Sequence, residues 1–127
     1  MNKEVISIDK APGAIGPYSQ GIKIGSFVYT SGQLPINAVN GEMPEGIEAQ
    51  TKQSLENVKA ILEAGGSCMK NAVKLLIFLK DMNDFVKMNE VYSQFFSENY
   101  PVRSCVEVAR LPKDALVKIE AIGTVEY

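Results

Sequence analysis

The chain has 127 residues, of which 46% are hydrophobic and 22% charged, and its formal net charge is −2 at pH 7. These values predict one globular domain over residues 1–127 and exclude a largely disordered chain. The charge balance offers no basic excess to neutralise phosphates, so nucleic acid is not an expected partner. The N-terminus lacks an apolar signal-peptide segment, and the apolar run Leu75–Leu79 is too short to cross a bilayer. We therefore expect a cytoplasmic protein with no membrane partner.

The absence of histidine narrows the possible chemistry. The sequence contains no histidine and two cysteines, Cys68 and Cys105, which lie far apart. A Ser-His-Asp triad, a Cys-His dyad and a histidine metal site are excluded, and the cysteines form neither a CxxC pair nor a zinc ligand set. We expect no metal site, so any chemistry must come from Arg, Lys, carboxylate, hydroxyl or thiol side chains, or from the backbone.

The first half of the chain predicts a strand, a hairpin and a helix. Apolar and polar residues alternate in part over 4–8, as in a short strand. The Gly- and Pro-rich residues 11–21 predict a loop. Residues 22–30 predict a hairpin that turns at Gly25-Ser26. After a second loop over 33–46, residues 47–64 predict a helix that Gly65-Gly66 terminates. The apolar face of this helix comprises Leu55, Val58, Ile61 and Leu62.

The second half predicts three more strands and a second helix. The strands are expected over 72–80, 104–109 and 116–125. Asn83 or Asp84 can cap the helix, which must end before Pro101. The apolar positions of this helix are Phe85, Met88, Tyr92, Phe95 and Phe96. In the last strand, Val117, Ile119 and Ala121 share one face, and Lys118 and Glu120 share the other.

The element order β-β-β-α-β-α-β-β predicts an α/β or α+β fold with two helices on one face of a mixed sheet. The centre of the fourth strand, Leu75–Leu79, is apolar on both sides and requires burial on both. The face without helices would then be a large apolar patch, which monomeric soluble proteins rarely expose. We therefore predict that another subunit covers this face. The pattern does not give the number of subunits.

Two charged residues are candidates for a site. Arg103 stands where the chain enters a predicted strand, so its guanidinium and the free N–H groups of a strand edge could bind a carboxylate together. The alternative is an arginine solvated before a strand. Glu120 lies between apolar neighbours on the last strand, where it could act as a positioned base. The alternative is an ion pair with Lys118 in solvent.

Three further residues are weaker candidates. Cys105 has no histidine to activate it as a nucleophile, and such a cysteine is more often a small buried residue. Its backbone amide could matter more than its sulfur. Tyr18 and Ser31 lie in glycine-rich loops and could line a pocket, although such loops are mostly structural.

Several segments, taken in order, resemble the reactive-intermediate deaminase (Rid/YjgF) family, RidA type. The resemblance covers nearly the whole chain. Its most specific part is PVRSCVEVARLPK at 101–113, followed by Ile119–Ala121. The other segments are AIGPYSQG at 14–21, YTSGQLP at 29–35 and MNEVY at 88–92 with Phe95-Phe96. The resemblance implies a chorismate-mutase-like fold and a homotrimer with a β-barrel-like core and sites between subunits.

The family resemblance also implies an activity in amino-acid metabolism. Reactive 2-imino acids, released as enamines by pyridoxal-phosphate-dependent dehydratases, would be hydrolysed to 2-oxo acids and ammonia without a cofactor or metal. The expected substrates are 2-iminobutanoate and 2-iminopropanoate, and the enzyme class is a hydrolase of C=N bonds. Other classes stay open: a non-catalytic regulatory trimer that binds small carboxylates, a translation-inhibitor-type ribonuclease, or a chaperone-like protein.

The resemblance assigns roles to seven residues by motif. Arg103 resembles the arginine that binds the substrate carboxylate, and Glu120 resembles the acidic residue that holds the attacking water. Cys105 would bind substrate mainly through its backbone. The remaining pocket residues implied by the motifs are Tyr18, Ser31, Gly32 and Asn89.

Overall fold

A computed structural model of the chain describes residues 2–125. Within that range, six strands form one sheet in the order β1-β2-β3-β6-β4-β5. All neighbours are antiparallel except β4 and β5, which are parallel. The strands are β1 (Glu4–Ile6), β2 (Gly21–Ile24), β3 (Phe27–Thr30), β4 (Ala72–Leu79), β5 (Val102–Glu107) and β6 (Val117–Thr124). The α-helices are α1 (Ile47–Ala64) and α2 (Phe85–Ser93), and 3₁₀ turns span Met69–Asn71, Met82–Asp84 and Pro112–Asp114.

Helix α1 forms as its periodicity predicts, with the predicted bounds. The four apolar residues at helical spacing are fully buried: Leu55, Val58, Ile61 and Leu62. They pack on β3 and β6, so the helix is held by its apolar face. Gly66, with φ of 90°, supplies the left-handed residue that ends the helix. The predicted helix and its stop are therefore confirmed.

The two faces of the sheet differ in burial. On the face toward the helices, Val117, Ile119 and Ala121 of β6 pair with β4 residues and are all buried. On the opposite face, apolar side chains are half-buried or exposed. They include Val5, Ile22, Ile24, Phe27, Tyr29, Leu76, Phe78, Val102, Val106 and Ile122. The predicted two-layer α+β arrangement, with both helices on one face, is confirmed. We call the other side the open face.

Several predicted boundaries were wrong. Helix α2 ends at Ser93, so Phe95 and Phe96 lie beyond it, where the amides of 94–96 bond carbonyls three residues back. The predicted cap is right in position, at Asp84, but not in its bonding. Asp84 occupies the N-cap position without a side-chain bond, whereas Asp81 accepts from the Asn83 amide and caps the preceding 3₁₀ turn.

The strands also start or end at different residues from those predicted. Strand β5 spans Val102–Glu107 rather than 104–109, because its parallel register with β4 aligns Lys74 with Val102 and Leu79 with Glu107. Strand β1 ends at Ile6, β4 ends one residue earlier than predicted, and β6 is shorter by one residue at each end. Arg103 is therefore the second residue of β5, inside the strand rather than before it.

Within residues 2–125, neither helix has the length and hydropathy that a membrane-spanning helix requires.

Candidate active site

Arg103 lies on the helix-facing side of edge strand β5, against helix α2. Its Nη1 donates a 2.6 Å hydrogen bond to Oδ1 of Asn89. Its guanidinium carbon lies 4.8 Å from the ring centroid of Tyr92 and 5.5 Å from that of Phe85. Phe85, Asn89 and Tyr92 are spaced i, i+4 and i+7, which places them on one face of a helix. One helix face therefore holds the guanidinium through an amide oxygen and two aromatic rings.

No carboxylate between residues 2 and 125 neutralises the positive charge of Arg103. Among residues 2–125, no carboxylate lies within ion-pair distance of it, and the amide of Asn89 and both rings are neutral. The other arginine, Arg110, differs: it forms an exposed ion pair with Asp114 at 2.8 Å. Arg103 is thus the arginine of this chain that is held in place and still free to bind an anion.

Cys105 lies two residues along β5 from Arg103 and faces the same side of the sheet. Burial raises the pKa of its thiol, and the nearby positive charge of Arg103 opposes that effect only in part. A raised pKa keeps the thiol protonated at neutral pH, so the sulfur is a poor nucleophile. The raised pKa of the Cys105 thiol therefore gives no support for an activated thiolate at this position.

Glu120 lies on the open face of the sheet. It pairs with Leu76 of β4 and is flanked along β6 by the buried Ile119 and Ala121, whose side chains point to the helices. Since side chains alternate along a strand, Glu120 and Lys118 share the open face. Lys118 lies across from Phe78, with its ammonium nitrogen 5.9 Å from the ring centroid, rather than in an ion pair with Glu120.

Ser31 and Gly32 lie beside β6, where a bridge joins Gln33 to Ile119. The Ser31 hydroxyl donates to the backbone carbonyl of Ser19, which ties this segment to the loop that carries Tyr18. Gly32 lies directly against the aliphatic stem of Lys118, and no side chain would fit at residue 32 without displacing that stem. The segment therefore belongs with the open-face residues of β6.

Tyr18 is 52% exposed in the loop before β2. Its hydroxyl accepts a long 3.4 Å hydrogen bond from the Ile15 amide, and its own amide bonds the Gly16 carbonyl. The ring is therefore not packed in the core of the protomer and is available for contact with a ligand or a second chain.

Six of the seven predicted site residues thus form two groups rather than one, and the seventh, Tyr18, lies in the exposed loop before β2. Arg103, Asn89 and Cys105 lie on the helix-facing side of β5. Glu120 lies on the open face of β6, and Ser31 and Gly32 lie next to that strand. Strand β4 separates β5 from β6, which puts the two strands about 10 Å apart. One protomer does not bring Arg103 and Glu120 together.

Sequence reasoning missed three residues that shape these groups. Phe85 and Tyr92 were identified only as apolar positions of the helix. Helical spacing alone does not distinguish a core aromatic residue from one that contacts a site. Burial raises the pKa of the Tyr92 phenol, with the Arg103 charge opposing it, and its buried hydroxyl has no hydrogen-bond partner within residues 2–125. Lys118 was considered only as an ion-pair partner of Glu120. The i, i+4, i+7 spacing around Asn89 is the signal that could have identified the rings.

Within residues 2–125, neither a groove beside α1 nor any metal-binding cluster involves the predicted site residues. A groove of about 790 Å³ lies between α1 and the loop at 8–10, and none of the predicted site residues lines it. In the part of the chain that the structure describes, no group of three or more His, Cys, Asp or Glu side chains is arranged to hold a metal ion.

Comparison with known proteins assigns the family. The family model described as endoribonuclease L-PSP matches residues 8–125. Over 124 residues the chain is 55% identical to a RutC family protein of Pyrococcus abyssi, covering 97% of this chain and 98% of that protein. It is 52% identical over 123 residues to the 2-iminobutanoate/2-iminopropanoate deaminase of Escherichia coli, covering 94% and 96% of the two chains.

Solved structures agree. The crystal structure of E. coli TdcF with bound serine matches with a TM-score of 0.94 at 50% identity, covering 97% of this chain and 99% of that one. The structure of the E. coli YjgF gene product also matches with a TM-score of 0.94, at 48% identity and the same coverage. With a family model matched along nearly all of its length and relatives more than half identical, this chain belongs to the reactive-intermediate deaminase (Rid/YjgF) family.

Proposed function

We propose that this protein is an enamine/imine deaminase that hydrolyses small 2-imino acids, such as 2-iminobutanoate and 2-iminopropanoate, to 2-oxo acids and ammonia. The observation that carries the proposal is Arg103, whose guanidinium is held by neutral contacts and keeps its charge for an anion. A fixed guanidinium suits two-pronged binding of a carboxylate. The relative with bound serine, an α-amino acid, is consistent with a ligand of this size and charge.

The active site is proposed to form between copies of the chain. Arg103 and Glu120 lie on opposite faces of the sheet, so a reaction that needs both requires Glu120 from a second protomer. The open face that carries Glu120 also presents incompletely buried apolar side chains from all six strands, a surface suited to burial by another copy. The family resemblance implies three copies, so we propose a homotrimer with three equivalent sites.

The proposed reaction begins with positioning. Arg103 of one protomer binds the substrate carboxylate, and Glu120 of its neighbour orients a water toward C2. An iminium carbon is already electrophilic, so a held water is sufficient and no covalent nucleophile is required. The backbone near Gly32 and Cys105, together with the Ser31 and Tyr18 side chains, completes the pocket around the small apolar tail.

Glu120 accepts a proton during water addition and returns it before ammonia leaves. As the water oxygen bonds to C2, its proton passes to the Glu120 carboxylate and the C=N double bond becomes a single bond. Glu120 then returns that proton to the amine of the tetrahedral intermediate. The C–N bond breaks as the hydroxyl proton passes through Glu120 to the departing ammonia, so that the hydroxyl oxygen becomes the carbonyl of the 2-oxo acid and nitrogen leaves as ammonium. Glu120 ends as a carboxylate, ready for another turnover.

The test couples a serine or threonine dehydratase to the purified protein and measures the rate of imine loss. We expect the wild type to accelerate hydrolysis and Arg103→Ala to abolish the acceleration while circular dichroism stays unchanged. Arg110→Ala is the matched control, because it removes the other arginine, whose exposed ion pair with Asp114 has no place in the proposed site. Full acceleration by the Arg103→Ala protein would refute the carboxylate role.

A further inference from the structure

We propose that Phe85 and Tyr92 are positioning residues that hold Arg103 ready for its ligand. With Asn89 they form an aromatic cradle, here meaning the face of α2 that contacts the guanidinium. The inference rests on the proposed function only in taking the ligand to be a small carboxylate. It assigns to α2 a role in binding beyond packing.

The contacts show how the cradle limits the guanidinium. Cations are attracted to aromatic ring faces within about 6 Å of the centroid, and Arg103 meets this condition with both Tyr92 and Phe85. The 2.6 Å bond from Nη1 to Asn89 adds a directional restraint. A long side chain with many rotamers is thereby held in one arrangement before any ligand arrives.

The same contacts leave a particular edge of the guanidinium for the ligand. Asn89 occupies Nη1, while Nε and Nη2 make no hydrogen bond to any residue between 2 and 125. These two groups lie side by side and match the two oxygens of a carboxylate. We infer that the substrate carboxylate binds this Nε–Nη2 edge.

The ring of Tyr92, and not its hydroxyl, contacts the guanidinium of Arg103. Tyr92 is 6% exposed, and its buried hydroxyl has no hydrogen-bond partner among the described residues. Its ring also packs on Phe96, with centroids 4.8 Å apart, which fixes its plane. The cradle needs the ring and not the hydroxyl, so Tyr92→Phe should preserve binding and Tyr92→Leu should not.

The consequence is a defect in binding and not in turnover. When a fraction of molecules holds Arg103 correctly, the apparent dissociation constant rises in inverse proportion to that fraction. Once a carboxylate is bound, it holds the guanidinium in place of the missing ring. Loss of one ring should therefore raise Kd and KM by about three- to tenfold and leave kcat within about twofold.

The experiment measures the Kd of 2-oxobutanoate, used as a stable probe, by calorimetry on the full-length protein, and KM and kcat in the dehydratase-coupled assay. The test variants are Phe85→Leu and Tyr92→Leu. Controls are Tyr92→Phe and Phe95→Leu, the latter a half-buried phenylalanine whose ring makes no cation–π contact with Arg103. The cradle predicts raised Kd and KM in the test variants alone.

A second series distinguishes electrostatics from shape. Replacement of Phe85 by mono-, di- and trifluorophenylalanine weakens the negative ring face stepwise with little change in size. The cradle predicts a Kd that rises with each fluorine. This series also covers the case in which Tyr92→Leu does not fold, because Phe85 is only half-buried.

Each outcome decides the question. Unchanged Kd and KM in Phe85→Leu and Tyr92→Leu, an equal effect of Phe95→Leu, or a flat fluorine series overturns the cradle. A wild type that binds 2-oxobutanoate but hydrolyses no imine refutes the proposed function, and the Kd values alone then judge the cradle. A wild type that binds no small carboxylate refutes both.

Discussion

Arg103 and Glu120 lie on opposite faces of one sheet, on strands that β4 separates. Each is well placed for one part of the proposed reaction, and neither can complete it within its own protomer. The arginine is held among neutral groups, which keeps its charge available, and the carboxylate lies on an apolar face suited to a second copy. In the proposed mechanism, this relationship makes assembly part of the chemistry and not only of stability.

Asn89→Asp should weaken substrate binding without disturbing the fold. The variant has nearly the shape of the wild type, but its carboxylate would neutralise the guanidinium that Asn89 now bonds at 2.6 Å. We expect KM to rise at least about tenfold, since close charge pairs compete strongly for a guanidinium. Asn83→Asp adds the same charge at an exposed position before α2 and serves as the control. Equal KM values in the two variants would contradict this role for Asn89.

Glu120→Gln should reduce turnover far more than binding. Glutamine keeps the size and hydrogen-bonding reach of the side chain but cannot accept the proton of the attacking water. General-base catalysis typically contributes about 10²- to 10⁴-fold, so we expect kcat to fall in that range with KM nearly unchanged. Steady-state kinetics in the dehydratase-coupled assay measures both values. A kcat equal to that of the wild type would remove Glu120 from the mechanism.

Cys105→Ser should retain most of the activity. Burial raises the pKa of the thiol, so little thiolate exists at neutral pH, and the proposed reaction needs none. We expect kcat within about threefold of the wild type. In a Cys68→Ser background, alkylation of Cys105 should accelerate with pH through a midpoint above that of free cysteine. A hundredfold loss of activity, or a midpoint below that of free cysteine, would show instead an activated nucleophile.

The sequence predicted the fold well where local physics decides it. The bounds of α1 follow from its periodic apolar face and its glycine stop, and the hairpin follows from Gly25-Ser26. The ends of β5 could not be predicted in this way, because they depend on the parallel register with β4. The predicted end of α2 was also wrong, because Phe95 and Phe96 keep helical spacing in the sequence but lie in 3₁₀-type turns beyond the helix.

The residues of the candidate site could be predicted from the sequence. Their separation onto opposite faces of the sheet could not. Arg103 was found because it stands where the chain enters a predicted strand, and Glu120 because a carboxylate between apolar neighbours requires an explanation. Family motifs supported both. Which sheet face each occupies depends on strand order and on the position of Arg103 within β5. The contribution of Phe85 and Tyr92 was hidden for another reason: aromatic residues at helical spacing predict a core regardless of what else they contact.

The most direct measurement of the central claim is complementation between two inactive variants. Arg103→Ala and Glu120→Gln proteins are mixed, unfolded and refolded together, and imine hydrolysis is compared with each variant refolded alone. If every site takes Arg103 from one protomer and Glu120 from its neighbour, random mixing at equal amounts restores both residues in about a quarter of the sites. The account predicts recovery to about a quarter of wild-type activity. Activity that stays at the level of the separate variants, in assemblies shown to contain both chains, would contradict a site shared between protomers.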